Sequence, residues 1–169
     1  MQEPVPVVIE EAPSISSRAA FHAGVAWAVA AASATEARQL RWVDQDFADW
    51  PLDDSALLQS LGDWLRRPQR RLEMLAHDYE KMATRHPRFT AWRRTRSHVV
   101  ETRAMTEDHG LVLPAWIVVD RQAYVELLDR SRWRGRAGVD PHHASLLALE
   151  IDALAQRSVP DFPATRLGL

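Results

Sequence analysis

Cysteine is absent from the 169 residues, so disulfides and thiolate metal sites are excluded, and a reducing compartment is compatible with the chain. Lysine is nearly absent as well. Of the 21 basic residues only Lys81 is a lysine, which confines amine chemistry to that side chain and the amino terminus. The six glycines are scattered, and no two of them fit a nucleotide fingerprint or a phosphate loop. No histidine pair has the His-x-x-x-His spacing that would suggest zinc, and neither a metal nor a cofactor is expected. An excess of one charge is also missing. A formal net charge of −2 and a pI near 6.4 remove any global case for nucleic acid or an anionic membrane.

What is present suits one domain. A hydrophobic fraction of 46% can build a single core, and seven tryptophans should be partly buried with partners for their indole N–H groups. The opening "MQEPVPVVIEEAP" is acidic and proline-rich, unlike the positive start of a secretory signal. Residues 1–13 are expected to form an extended or disordered arm, and residues 14–169 a single α/β domain in the cytoplasm. The uncharged stretch 19–34 is alanine-rich and short of the ~20 apolar residues that a membrane span needs. It reads as a soluble helix capped at Ser16 or Ser17, packing Phe21, Val25, Val29 and Ala32 along one stripe.

Beyond it the chain alternates. Residues 37–47 read as a strand ending in Asp44 and Asp46. Residues 50–67 read as a helix started by Asp53, Asp54 or Ser55, with Leu57, Leu58, Leu61, Trp64 and Leu65 as its buried stripe and Pro68 as its stop. Strands follow at 70–78 and 97–105, separated by a polar helical stretch broken before Pro87. "LVLPAWIVVDRQAYVEL" (111–127) supplies two more strands turning at 120–122. A loop containing "RWRGRAG" (132–138) leads to a last helix with Leu147, Ile151 and Leu154 at helical spacing. The pattern predicts a mixed β-sheet of about five or more strands flanked by helices.

The order of elements resembles a half-domain of the phospholipase D superfamily. So do the phrases "PLDDSALLQSLGDWLRRPQRRLEMLAHD", "HPRFTAWRRTRSHVVETR", "PAWIVVDRQAYVELLD" and "FPATRLGL". More narrowly, the chain is similar to small proteobacterial domains of unknown function with this half-fold, across roughly residues 17–169. The resemblance implies a signature of histidine, any residue, lysine, four residues and aspartate, with two copies, from one chain or a homodimer, completing one site. Set on Asp120, the signature puts Leu113 at the histidine and Ala115 at the lysine. Neither carries a nucleophile or a charge. None of the seven histidines has lysine two residues on. Asp120 is thus a signature remnant that shapes a turn, and the resemblance implies a pseudoenzyme, an accessory module acting by binding.

Residues 85–103 carry six arginines against Glu101, a formal charge of +5. Arg93, Arg94, Arg96, His98 and Arg103 are the candidate anion-binding residues, for a phosphate-bearing ligand or a nucleic-acid strand, with Trp92 among them for stacking. The blander reading pairs these arginines with acidic neighbours such as Asp44, Asp46 or Asp49. His98, expected to open a strand, is the histidine on which a phosphodiesterase or nuclease alternative would rest. Asp44 and Asp46 facing one side of a strand would be a weak hard-cation site. A protein partner is the remaining class.

Overall fold

The computed structural model describes residues 8–106 and 110–162. Its frame is a mixed sheet of seven strands in the order β6-β5-β4-β1-β2-β3-β7. β1 (Gln39–Val43), β2 (Arg71–Ala76) and β3 (Val100–Met105) are parallel. β4 (Ala115–Val119) runs antiparallel to β1, and β5 (Ala123–Asp129) and β6 (Arg134–Val139) extend that half as antiparallel neighbours. β7 (Ser158–Pro160) closes the other edge against β3. The expected α/β class and mixed sheet are therefore present.

The helices form where local chemistry starts and stops them. Ser17 caps α1 (Arg18–Ala34), its hydroxyl accepting from the Ala20 amide at 3.0 Å. Asp54 caps α2 (Ser55–Leu65) in the same way, accepting from Ala56 at 2.8 Å. Leu57, Leu58, Leu61, Trp64 and Leu65 are all buried, and the Trp64 indole donates to the Ala37 carbonyl at 2.9 Å. Pro87 divides the polar stretch into the single turn α3 (Met82–Arg85) and α4 (Pro87–Arg94). α5 (Pro141–Ala155) begins at Asp140, whose carboxylate accepts from the His143 amide.

The two faces of the sheet are covered unequally. α1, α2 and α4 lie over the face made by Leu40, Trp42, Leu72, Met74, Val100, Ile117 and Val125, which forms the main core. α5 alone packs on the other face, against Val43, Leu75, Val118 and Tyr124. Of the segment expected to be an arm, residues 8–13 lack regular structure but are tied down: Ile9 and Ala12 pack on the core and the Glu10 carbonyl accepts from the Trp27 indole. No helix among the described residues is long and apolar enough to cross a membrane.

Three expectations need correction. From Arg134 onward the stretch "RWRGRAG" is β6, not a loop. Asp129 turns the chain by accepting from the amides of Ser131 and Arg132, and Trp133 takes a left-handed φ of 54°. Gly135 then lets β6 pass so near β5 that a Cβ there would collide with the Glu126 carbonyl. The third strand begins at Val100, so His98 lies in the preceding turn. β1 ends at Val43, so Asp44 and Asp46 occupy a loop and do not share a strand face. After α5 the chain returns as β7, a paired edge strand. Leu167, Leu169 and His109 lie outside the described residues.

Leu61 has no exposed surface and stands at the centre of the α2 stripe. Leu61→Ala should cost about 2–5 kcal/mol. The check is a lowered urea midpoint with an unchanged slope; an unchanged midpoint would mean that the helix does not bury this face.

Candidate functional site

Because β1, β2 and β3 are parallel, their carboxyl ends share one edge of the sheet, and β4 starts and β5 finishes there. β1 has its successor β2 on one side and the late strand β4 on the other. This is the switch in strand order at which open α/β sheets place ligands.

Asp44 stands at that point, directly after β1. Its side chain is only 4% exposed. Oδ2 accepts from the amides of Phe47 at 2.8 Å and Asp46 at 3.3 Å, which folds the chain back into a turn where Phe47 has φ 60°. Oδ1 lies 2.8 Å from Nη1 of Arg130, an ion pair without an aligned hydrogen bond. Nη2 of the same guanidinium donates to the Leu113 carbonyl at 2.7 Å, and the Leu113 amide donates to the Gln45 side chain at 2.9 Å. Both backbone groups at the signature's histidine position are thus held. The Leu113 side chain is buried in the α5-side core, and Ala115 is buried opposite it. Burial pushes the Asp44 carboxyl above its ordinary range, and Arg130 opposes that shift.

Asp120 lies at the other end of β4, at the opposite edge. Its left-handed φ of 48° turns β4 into β5. Its carboxylate accepts from the Gln39 amide at 2.9 Å and the Arg38 amide at 3.2 Å, fixing the start of β1. The remnant therefore does not meet the residues of the switch point.

The basic segment is divided. Arg93 donates to the Thr102 hydroxyl at 2.9 Å and lies 4.4 Å over the Phe162 ring, and burial lowers its pKa. It faces a cavity of about 380 Å³ shared with Arg71, Glu101 and Asp161, two cations against two anions. Arg103, on the other face of β3, is committed to Glu101 and to both oxygens of Ser158. Arg94 is exposed. Arg96 stacks 4.5 Å over Trp92 and donates to its carbonyl at 2.9 Å. His98 is exposed and lines a cavity of about 310 Å³ with Arg66, Arg96 and Thr95, to which no carboxylate contributes. A neighbouring cavity of about 180 Å³ adds Arg88, Trp92 and Asp63 and shares Gly62, Arg66 and Arg96 with it. The five expected residues accordingly do not share one site: only Arg96 and His98 meet, and their companion Arg66 comes from the end of α2.

The acidic neighbours are spent elsewhere. Asp44 pairs with Arg130, Asp46 with Lys81 at 3.3 Å and Asp49 with Arg18 at 3.7 Å, none with the segment 85–103. No group of three His, Asp or Glu side chains among the described residues could hold a metal ion. Sequence reading missed Arg130 and the tryptophans around Asp44, since no local spacing links positions so far apart. Arg66 was visible only as a helix-terminal arginine.

The Asp44 carboxyl ionises in the ordinary carboxylate range in an unfolded chain and above it in the folded one, where burial penalises its charge. Its protonated form is favoured by folding, so its stabilising share is complete below the unfolded value and is lost as pH rises through the folded one. Urea midpoints of the wild type and Asp44→Asn, measured from about pH 4 to neutrality, should therefore shift progressively in favour of the variant. A difference that is flat, or that moves the other way, would mean Arg130 outweighs burial.

No family model matches the chain, and no curated protein matches it in sequence. Solved structures do match. The archaeal chromatin protein TrmBL2, described as showing a novel mode of DNA binding, superposes with a TM-score of 0.60 at 11% identity, over 94% of this chain and 56% of that one. Phosphatidylserine synthase of Haemophilus influenzae Rd KW20 gives 0.56 at 14% identity, over 92% and 40%. Nuc of Salmonella typhimurium, a phospholipase D family member, gives 0.54 at 8% identity, over 83% and 92%. The chain thus spans about half the length of the first and two-fifths of the second. At these identities the likeness concerns architecture, and the architecture of this chain is a phospholipase D-like α/β fold.

Proposed function

We propose that the domain is a non-catalytic phospholipase D-like module that acts by binding. The observation that carries this reading is the state of positions 113 and 115. Both side chains are buried and apolar, and the Leu113 backbone is held by Gln45 and Arg130. A phosphoryl transfer of the kind the resemblance implies needs a nucleophile and a cation from these two side chains, and neither supplies one; the nearby Arg130 guanidinium is taken up by Asp44 and the Leu113 carbonyl. His98, the basis of the enzyme alternative, stands on an exposed turn with arginines around its cavity and no carboxylate to orient it.

The ligand this reading favours is phosphate-bearing, taken along the groove between α2 and α4 where Arg66, Arg96 and His98 meet. Guanidinium groups bind phosphate oxygens through charge-assisted hydrogen bonds, and the Trp92 ring offers a stacking surface beside them. The DNA binding described for TrmBL2 agrees with a nucleic-acid strand as one such ligand. The domain would then serve as a cytoplasmic bacterial accessory module, paired as a homodimer or docked on a protein partner.

Purified protein should give no turnover above buffer on lipid, DNA or aryl phosphodiesters. Turnover abolished by His98→Ala would overturn the reading in favour of the enzyme alternative. Oligonucleotide titrations followed by tryptophan fluorescence should show binding at low salt that weakens steeply as salt rises. Arg96→Ala and Arg66→Ala should each weaken it about tenfold, with Arg94→Ala weaker in effect. Absence of any response from a folded sample would leave protein association as the function of the module.

A further inference from the structure

Beside the Asp44–Arg130 pair lies a small cavity of about 70 Å³ that the binding groove does not use. Phe21, Trp50 and Trp133 line it, with Asp44, Asp49 and Arg130. The Phe21 ring meets Trp50 edge-on at 5.4 Å and Trp133 at 5.7 Å, so the three rings form one continuous wall. Aromatic faces attract cations, and more strongly where water is excluded. The chain's own cations respond to this field. Arg18 lies 5.9 Å over Trp133 and 3.7 Å from Asp49, while Arg130 stands against Asp44.

The decisive group is Asp44. Its side chain is 96% buried, and Oδ1 faces a guanidinium without receiving an aligned hydrogen bond. That guanidinium is the partner a second cation would replace, since a carboxylate this deep keeps its charge only beside a cation. Arg130 is a loose occupant: its side chain is 40% exposed, and its aligned bond goes to the Leu113 carbonyl through the other nitrogen. The cavity has space for a group of a few heavy atoms, since one water takes roughly 30 Å³ of the liquid. It also sits at the switch in strand order, where this class of sheet receives ligands.

We propose that this cavity binds a small organic cation of the alkylammonium class, which takes the place of the Arg130 guanidinium against Asp44 and lies against the Phe21, Trp50 and Trp133 rings. The inference stands apart from the phosphate-binding groove, with which it shares no side chain, while Arg130 and Ala115 belong both to this cavity and to the non-catalytic reading. An N–H of the cation donates to Oδ1 of Asp44, its carbon substituents cover the rings, and Arg130 turns outward to water. A site of this composition discriminates against sodium, which gains little from leaving its hydration shell for an aromatic wall.

Methylammonium chloride is the probe, titrated into the full chain at constant ionic strength with sodium chloride as the balance, and read by tryptophan fluorescence and by thermal midpoint. Saturable binding in the millimolar range with a raised midpoint is expected. Asp44→Asn, which keeps the shape, should weaken it about tenfold or more. Arg130→Met removes the competing head group and should tighten it about tenfold. Should that variant fail to fold, Trp133→Leu keeps both charges and should weaken binding severalfold. Tetramethylammonium, which lacks an N–H, should bind more weakly than methylammonium. No saturable response in the wild type and in Arg130→Met, or equal affinity in Asp44→Asn or Trp133→Leu, would overturn the proposal. Oligonucleotide binding in the same samples reports on the groove separately.

Discussion

Asp44 joins the three parts of the carboxyl edge. One of its oxygens takes the amides that turn the chain after β1, and the other faces Arg130, which in turn holds the carbonyl leading into β4. A carboxylate this deeply placed loses most of its hydration, and that loss is large unless other donors replace the water. Two backbone amides and one guanidinium do so, and the residual cost appears as the raised pKa of the group. Arg130 follows β5, so the same pair fixes the far end of the β4–β5 hairpin against β1. Removing Arg130 would leave the buried Asp44 carboxylate without its counter-ion at the seam of the sheet.

The unequal faces of the sheet follow from what covers them. Three helices bury an almost wholly apolar surface on one side, with Trp42, Leu72 and Met74 fully enclosed. On the other side one helix covers the middle, and the strand positions around it carry charges. Arg41 is buried there and meets Glu73 at 3.1 Å, Asp152 at 2.7 Å and the Ala148 carbonyl at 3.3 Å. Glu126 receives Arg136 at 2.9 Å and His143 at 3.1 Å. These contacts tie α5 to the sheet where apolar surface is scarce, and those of Arg41 satisfy all three of its guanidinium nitrogens.

The basic segment shows why a count of charge is not a site. Six arginines within nineteen positions look like one surface in the chain. A turn of helix, a tight turn and a strand then aim them in different directions. Arg93 is drawn inward to Thr102 and Phe162, Arg103 crosses to the opposite face of β3, and Arg96 lies back on Trp92. What survives as a positive concavity is assembled with Arg66 from the end of α2.

By itself the sequence determined the elements whose signals are local. Ser17 and Asp54 cap their helices because a side-chain oxygen meets a free amide within the next three residues, and the leucine stripe of α2 buries because its spacing matches the helix. Two apolar runs around the polar corner at 120–122 marked the hairpin, and the missing histidine and lysine at positions 113 and 115 could be counted directly. Only the tertiary structure decided the rest. It made "RWRGRAG" a strand, because the backbone groups of β5 and the room left by Gly135 outweighed the weak strand preference of arginine and glycine. It separated the arginines, and it brought Arg130 to Asp44 and three aromatic rings to one small cavity. Those contacts join residues far apart in the chain, and their partners are chosen by the order of strands in the sheet, which no local spacing encodes.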